Sequence, residues 1–504
     1  MSRYSINNIL KASAFIAPIA LVPMLGTPAI AAGKSTLTIG QNADLASLDP
    51  TELRLGTYVS THLLYNTLIR LDKEGHPQPE LAKSWARSDD GRKLTLKLAD
   101  NVKFHDGRQM TSKDVAFSLN YAKTPAVGAN ILPLAQMIET IETPDDQTVV
   151  LGLNGGTDAV FDLLDLAFIV DSENPKRIKT SGNGTGPFKL TNFEPGQNAV
   201  FARNDAYWRA KPALEKVEIK IIPDPQSAIA QLRAGTVDFL PSLNREGVEQ
   251  LAKSEFKTGV AAPEGRVLDI GLNVKAPVLD KPEVRQAISM AVDRARIAKD
   301  VVGPEAMVKC LPWAARNTRE ATGLADSCTY DLAKAKALIE KAGASGAEIE
   351  LLSYSQAEPA LGATAQILQN SFREIGLTTN IVEMSEAAFV ARFRRSNFQA
   401  TTHFYVRAGR NPAAILLTAV PFRAKGNVAG VASKQYQDDV TLVTTAPPGE
   451  ATDAAWKRIN TFLLSENWVL PVSTLPVQWA SSPNLKGVTF NLDGMPIFET
   501  ATFE

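Results

Sequence analysis

Hydrophobic residues recur at two different spacings along the chain. Leu94, Leu96 and Leu98 alternate with polar residues, which is the period of a half-buried strand. Further strands are predicted at residues 37–39, 348–352 and 377–382. Elsewhere, apolar residues recur every three to four positions and predict helices that start near residues 111, 280, 332 and 361. Strands that alternate with helices in this way are typical of an α/β protein with mixed sheets.

Capping residues set the expected ends of these helices. Thr111 begins a capping-box pattern, T-S-K-D, at the start of the first helix. The apolar stripe that follows Asp280 continues to Ile297, so we expect one helix over that range. Gly343 and Gly376 lie where the next two helices should end, because glycine readily adopts the left-handed conformation of a helix C-terminus.

The first 32 residues predict a secretory signal peptide. Arg3 and Lys11 supply its basic start, residues 12–25 are apolar, and Ala29 and Ala31 match the A-x-A cleavage pattern. The apolar run is shorter than the ~20 residues of a bilayer span, and a buried N-terminal helix is the alternative. No cysteine stands immediately after the cleavage point, as a lipoprotein would need, so we expect a soluble mature protein in the periplasm.

The composition is that of an ordinary globular protein. Of the 504 residues, 44% are hydrophobic and 21% are charged, with 53 basic against 54 acidic residues. This length predicts two or three domains, and the balanced charge makes nucleic acid and anionic lipid unexpected partners. The two cysteines, Cys310 and Cys328, either form a disulfide bond worth about 3 kcal/mol or remain separate buried thiols.

Catalytic motifs are poorly represented in the sequence. None of the four histidines belongs to an H-E-x-x-H pattern, and no G-x-S-x-G pattern occurs. Ser254 and Lys257 fit the S-x-x-K pattern of penicillin-recognising serine enzymes, but the K-T-G pattern that these enzymes also need uses the same Lys257. An exported serine hydrolase is therefore a remote alternative, and we expect no enzymatic activity, no metal and no cofactor.

Several segments share motifs and spacing with one known family. They are residues 81–85 (LAKSW), 102–107 (VKFHDG), 111–119 (TSKDVAFSL), 184–188 (GTGPF), 204–208 (NDAYW), 284–288 (VRQAI) with 293–294 (DR), and 330–331 (YD) with 334–335 (KA). Together they resemble family 5 of the extracellular solute-binding proteins of bacterial ABC importers, a group that includes dipeptide-, oligopeptide- and nickel-binding proteins. The resemblance covers the mature chain from beginning to end.

The resemblance implies a two-lobed periplasmic binding protein fold of the class II type, with an additional domain beside the first lobe. Domain I, the first lobe, would comprise residues 33–65, 185–267 and 478–504. Domain II, the additional domain, would comprise residues 66–184, and domain III, the second lobe, residues 268–477. A hinge would close the lobes on a solute. The implied partners are an inner-membrane ABC permease and its ATPase subunits, and the protein is expected to be a monomer.

The resemblance also implies that residues 404–412 form a ligand-binding loop. Peptide-binding relatives place an aspartate in this loop against the α-ammonium of the ligand, whereas this chain has Ala408 and Asn411 at the acidic positions and adds Arg407 and Arg410. Arginine suits a carboxylate or a phosphate, or it can brace the loop or face solvent. A di- or oligopeptide is the default cargo. A non-peptide anionic solute, such as an opine-like conjugate or a metal–chelate complex, is the alternative.

Two further residues complete the expected ligand contacts. Ser47 lies in a segment near the mouth of the first lobe in this family, and Tyr405 could offer an aromatic face. Packing in the core is the alternative role for Tyr405. Weaker candidates for the wall, for a metal chelate or for the missing acid are Trp313, His403, Glu383 and Glu386.

Overall fold

The computed structural model describes residues 33–504 except 44, 46, 52–54, 126–130 and 357. The predicted signal peptide, residues 1–32, lies outside the described residues. From Ser35 to Glu504 the chain forms one unit. In the part of the chain that the structure describes, no helix has both the length and the apolar character needed to cross a lipid bilayer.

The strands alternate with helices along the chain. The strands are β1 (Thr36–Gln41), β2 (Ile69–Leu71), β3 (Pro77–Pro79), β4 (Ala82–Arg87), β5 (Lys93–Leu98), β6 (Ile138–Asp145), β7 (Thr148–Leu153), β8 (Phe188–Glu194), β9 (Asn198–Arg203), β10 (Lys216–Ile221), β11 (Phe239–Leu243), β12 (Lys257–Ala262), β13 (Arg266–Leu272), β14 (Glu348–Ser353), β15 (Thr378–Glu383), β16 (Ala400–Val406), β17 (Val469–Thr474), β18 (Val477–Ser481), β19 (Leu485–Lys486), β20 (Thr489–Phe490), β21 (Pro496–Ile497) and β22 (Thr502–Phe503).

The helices are concentrated in the second half of the chain. They are α1 (Leu55–Leu64), α2 (Ser112–Ala122), α3 (Leu132–Ala135), α4 (Ala159–Leu166), α5 (Ile178–Ser181), α6 (Pro225–Arg233), α7 (Arg245–Leu251), α8 (Pro282–Ala291), α9 (Arg294–Arg296), α10 (Thr318–Ala321), α11 (Leu332–Lys341), α12 (Pro359–Glu374), α13 (Glu386–Arg394), α14 (Pro412–Thr418), α15 (Lys434–Thr445) and α16 (Glu450–Glu466). Short 3₁₀ turns lie at Pro175–Arg177 and Val420–Phe422, and a π-helical turn lies at Ile297–Val302.

Two large mixed sheets and one antiparallel sheet organise these elements. The seven-stranded sheet has the order β12-β18-β11-β1-β10-β9-β8, with β1 parallel to β10 and β11. The five-stranded sheet has the order β15-β14-β16-β13-β17, with β14 parallel to its two neighbours. The four-stranded sheet, β4-β5-β7-β6, is antiparallel throughout. The predicted fold class, α/β with mixed sheets, is confirmed.

The chain passes between the two large sheets in two very short segments. Residues 263–265 connect β12 to β13, and residues 475–476 connect β17 to β18. We call these segments the first and second crossover. Each crossover has only two or three residues, so no long linker separates the two sheets at these points of the chain.

The predicted elements are found where the hydrophobic pattern placed them, with one exception. Leu94, Leu96 and Leu98 are fully buried on β5, and the capping box at Thr111 starts α2. The helix expected from Asp280 to Ile297 instead ends at Ala291. The chain becomes extended there, and the Asp293 carboxylate accepts the Arg296 N–H and starts a new turn, so a second cap divides the apolar stripe.

The buried residues form separate clusters, and the largest of them crosses the boundaries between the sheets. One cluster of buried residues lies beneath the five-stranded sheet and includes the apolar stripes of α8, α11 and α12. The largest cluster extends from the four-stranded sheet and α4 to helices α14, α15 and α16. Cys310 and Cys328 form the disulfide bond, with 5.4 Å between their Cα atoms. The alternative of two separate thiols therefore does not hold.

Candidate functional site

The loop of residues 407–411, between β16 and α14, lies on the first crossover. It begins where β16 ends against β13, at the pairing of Val406 with Arg266. The Ala408 N–H then donates to the Gly265 carbonyl at 3.2 Å. Asn411 closes the loop by capping α14, because its side-chain oxygen accepts the Ala413 N–H at 2.9 Å. The loop that the resemblance indicated is therefore in contact with the first crossover between the two large sheets.

The positively charged side chain of Arg407 extends from this loop to α1. Its φ of +64° is in the left-handed region, which turns the chain away from β16. The guanidinium is half-buried and donates to the Tyr58 hydroxyl at 2.5 Å. Burial raises the pKa of Tyr58 above its ordinary value of 10, against the effect of the Arg407 charge, so the phenol stays neutral. The buried Nε of Arg407 has no hydrogen-bond partner among the described residues.

Arg410 is enclosed by three carboxylates. Its side chain is 2% exposed, and Nη2 lies 2.7 Å from both Asp165 and Asp493. Nη1 donates to Asp162 at 3.3 Å, and Nε donates to Asp493. We call these four residues the Arg410 cluster. Burial works to lower the pKa of Arg410, but the three carboxylates outweigh it, so the guanidinium stays charged.

The Arg410 cluster corrects the expected role of this arginine. We expected Arg410 to be available to an anionic ligand, but its N–H groups already donate to three buried acids. An additional anion would meet the repulsion of those carboxylates. In this structure the Arg410 side chain ties the loop to acids from distant parts of the sequence, which are the contacts expected of a bracing role.

The other residues predicted to contact the ligand differ in how deeply they are buried. Ala408 is 1% exposed and packs in the core. Tyr405 is also buried, its ring packs edge-on against Phe422, and its hydroxyl donates to the Pro312 carbonyl at 2.9 Å. These contacts are those of a core residue, which was the alternative role for Tyr405. Ser47 is half-buried, and its hydroxyl accepts the Asp49 N–H at 3.1 Å.

The weaker candidates mostly have structural contacts. Trp313 is buried and donates its indole N–H to Asn460 at 2.8 Å. His403 lies 3.3 Å from Asp269 and stacks on Phe393, and no group of three or more metal-ligating side chains occurs in the described ranges. The remaining two, Glu383 and Glu386, are exposed, and Glu383 accepts the Ser355 N–H.

A buried ion pair next to the loop was not predicted. Lys309 is 7% exposed and donates to Glu264 at 2.5 Å and to the Trp313 carbonyl at 2.9 Å. Glu264 belongs to the first crossover and also accepts the Ala315 N–H. The pair joins residues 45 positions apart in the sequence, so no local pattern could have indicated it.

The titrating groups near the loop are shifted mainly by burial. Burial raises the pKa of Asp162 to about 7, although Arg410 acts to lower it. Burial also lowers the pKa of His62, one turn after Tyr58 on α1, to about 4, so this imidazole is neutral above that pH. Arg407 thus donates to a neutral phenol, and the acids of the Arg410 cluster already accept hydrogen bonds from Arg410.

Two comparisons of the sequence with known proteins find matches. A model of the "Bacterial extracellular solute-binding proteins, family 5 Middle" matches residues 76–420. The nickel-binding periplasmic protein of Escherichia coli (strain K12) is 26% identical over 490 residues, which cover 91% of this chain and 93% of that protein.

Two solved structures have a similar fold. NikA from Brucella suis in complex with Fe(III)-EDTA has a TM-score of 0.82 at 24% identity, covering 93% of this chain and 100% of that one. A dipeptide-binding protein from Pseudoalteromonas sp. SM9913 in complex with Met-Leu has a TM-score of 0.81 at 19% identity, with the same coverage. The fold is therefore the two-lobed fold of periplasmic binding proteins, as the sequence motifs implied.

Proposed function

The chain belongs to the family 5 bacterial extracellular solute-binding proteins, and we propose how it performs the substrate-binding role of an ABC importer. The two lobes close around a solute, and the membrane permease recognises the closed form. Closure is favoured when the solute contacts both lobes, because only the closed state gains those contacts. The signal peptide of residues 1–32 is cleaved on export, and the mature protein is a periplasmic monomer.

We assign the lobes as the family resemblance implies. Domain I (33–65, 185–267 and 478–504) holds the seven-stranded sheet, domain II (66–184) the four-stranded sheet, and domain III (268–477) the five-stranded sheet. The two crossovers are the hinge. We propose residues 263–265 as the first part of this hinge, since they precede β13, which begins at Arg266, and lie next to the domain boundary at 267. This assignment is supported by the short length of both crossovers.

The observation that carries the proposed ligand site is the position of Arg407. It extends from domain III to Tyr58 of domain I, and it keeps one buried N–H without a partner in the described part of the chain. A buried donor of this kind costs about 1–3 kcal/mol if it stays unsatisfied. An acceptor on a bound solute would remove that cost only in the closed state.

The cargo is proposed to be a di- or oligopeptide that presents a carboxylate to Arg407. The loop chemistry favours a second candidate, a non-peptide anionic solute such as an opine-like conjugate or a metal–chelate complex. The usual acid for an ammonium is replaced by Ala408 and Asn411, and the acids next to them are taken by Arg410. The relatives described above were solved with each kind of ligand, a dipeptide and a metal chelate.

Native mass spectrometry of protein purified gently from the periplasm tests the cargo. A ladder of added masses that fits short peptides is the expected result for the first candidate. One discrete mass that fits no peptide would support the second. Protein that carries no added mass after gentle purification, and binds neither peptides nor chelates when they are added back, would contradict both.

Arg407→Ala is expected to weaken binding of the solute so identified by more than tenfold, because the variant loses a charge-assisted contact worth more than about 1.4 kcal/mol. Stability should change little, since Arg407 is only half-buried. Isothermal titration calorimetry measures the affinity. Arg395→Ala, which removes an exposed arginine of the same domain, is the matched control and should bind normally. Unchanged affinity in Arg407→Ala would contradict the proposed site.

We also propose that the protein performs no catalysis. The remote alternative required Ser254 and Lys257 to act together. Ser254 instead donates to the Leu251 carbonyl at 2.5 Å, and Lys257 donates to the Leu485 carbonyl at 2.9 Å. Neither side chain is bonded to the other, so the nucleophile–base contact of such enzymes is not formed.

A further inference from the structure

The Arg410 cluster joins all three proposed domains. Arg410 is in domain III, Asp162 and Asp165 are on α4 of domain II, and Asp493 is in the C-terminal part of domain I. All four side chains are at most 5% exposed. The lobes cannot separate at this point without exposing the cluster to water, so its free energy contributes directly to the balance between open and closed protein.

The cluster contains more negative than positive charge. One guanidinium faces three carboxylates, and like charges at this separation in a buried site strongly favour the uptake of a proton. Exposure to water removes this tendency to bind a proton, because each carboxylate is then solvated separately. Closing the lobes should therefore draw a proton into the cluster, and opening them should release it.

The hydrogen bonds indicate which carboxylate takes the proton. Asp493 accepts from both Nε and Nη2 of Arg410. Asp165 accepts from Arg410 at 2.7 Å and from the Leu71 N–H at 2.9 Å. Asp162 has the longest contact with the guanidinium, 3.3 Å, and shares its remaining capacity with the Asn411 N–H. Among the three carboxylates, Asp162 therefore receives the weakest hydrogen bonding from Arg410.

The neighbours of Asp162 leave it as the group that titrates. Charged and titratable groups surround the cluster from every element packed against it: Asp165 on α4, Arg407 and Arg410 on the loop, Asp493 in the C-terminal segment, Tyr58 and His62 on α1, Arg70 and Glu80 beyond His62, and Arg316 beside Asp162. Tyr58 stays neutral because burial raises its pKa, and His62 is neutral above a pKa of about 4.

We propose that the Arg410 cluster is a proton-coupled latch: closure of the lobes loads a proton onto Asp162, so acidic surroundings favour the closed state over the open one. The latch rests on the proposed lobe closure, but it needs no knowledge of the solute. It adds pH as a second control of closure, independent of the contacts made by Arg407.

The direction and range of the effect follow from linkage. The pKa of Asp162 is about 7 in this structure, where the cluster is intact, against an ordinary value of 3.8, so the state with the intact cluster, which we identify with the closed protein, binds more protons between these two values. The equilibrium constant for closure therefore falls as pH rises through that range, by at most about tenfold per pH unit for one proton. Above pH 7 this constant no longer depends on pH. Burial also raises the pKa of Asp165, which acts in the same direction.

Hydrogen exchange of the ligand-free protein between pH 5 and pH 7 tests the latch. The Gly156 amide, which donates to Thr445, reports on the interface between domains II and III, and the Ala408 amide, which donates to Gly265 of the hinge, reports on the loop itself. After correction for intrinsic exchange rates, the protection factor of Gly156 should fall as pH rises, with a slope approaching about tenfold per pH unit. A fall at Ala408 alone would indicate local opening of the loop and overturn the proposal.

Asp162→Asn isolates the responsible group, because the amide keeps an oxygen for Arg410 but cannot titrate. We expect this variant to lose most of the slope while staying protected at pH 7. Asp171→Asn is the matched control: Asp171 also pairs with an arginine, Arg108, but both belong to domain II, so the slope should remain. An unchanged slope in Asp162→Asn, or protection in the wild type that does not vary with pH, would overturn the latch. Neither outcome bears on the cargo or on Arg407.

Discussion

Replacing Arg410 by methionine is expected to destabilise the protein by about 3–5 kcal/mol, the usual cost of removing one partner from a buried ion pair. The substitution leaves three carboxylates that are at most 5% exposed without their cation. The loss should be largest at pH 8 and should shrink toward pH 5. Burial raises the pKa values of Asp162 and Asp165, and removal of the cation that opposes this effect raises them further, so protonation of these two carboxylates restores native stability as pH falls.

Urea unfolding at pH 5 and pH 8 measures this loss. Arg296→Met is the matched control, because Arg296 pairs with Asp300 on the surface, where both side chains are more than half exposed. Such pairs contribute about 0–1 kcal/mol, so the control should remain close to the wild type. If Arg410→Met lost the same free energy at both pH values, the cause would be packing rather than charge, and our account of the cluster would be wrong.

Gly184→Ala is expected to cost about 3 kcal/mol, the upper end of the usual range for overpacking. A Cβ at Gly184 would lie 1.9 Å from the Leu64 carbonyl oxygen and 2.6 Å from the Tyr65 ring. The Leu64 oxygen is backbone and already accepts the Gly186 N–H at 2.9 Å, so it cannot move aside freely. The glycine is required by space here, since its φ is not in the left-handed region.

Thermal and urea unfolding of Gly184→Ala should both show the loss. Gly156→Ala is the control, because this glycine is also buried but its Cβ would lie 3.5 Å from Pro447, an ordinary contact distance. We expect the control to stay within about 0.5 kcal/mol of the wild type. Equal losses in the two variants would mean that the flexibility of glycine, and not the close approach to α1, explains the G-T-G-P-F segment.

Elements with strong local signals could be predicted from the sequence. The alternation at Leu94, Leu96 and Leu98 and the capping box at Thr111 both fix their structure through neighbours a few residues away. The break after Ala291 was missed because it depends on competition between two signals. The apolar stripe continues through the break and favours one helix, whereas the Asp293 cap favours the start of a new turn. The sequence pattern alone does not show which of these two signals is stronger.

The candidate site was predictable only in part. The loop could be located because its motif resembles a known family, and its two arginines could be recognised as unusual. Their different roles could not be assigned, because Arg410 meets acids 83, 245 and 248 positions away and Arg407 meets a hydroxyl 349 positions away. Contacts over such separations leave no periodic trace in a single sequence.

The sequence by itself determined the fold class, the family and most of the helices and strands, because hydrophobic periodicity, caps and motif spacing act locally along the chain. Only the tertiary structure decided which charges are free and which are neutralised. Arg407 and Arg410 have the same chemistry and lie three residues apart. Their difference is created by the distant groups that folding brings around each one: a neutral phenol for Arg407, and three buried carboxylates for Arg410.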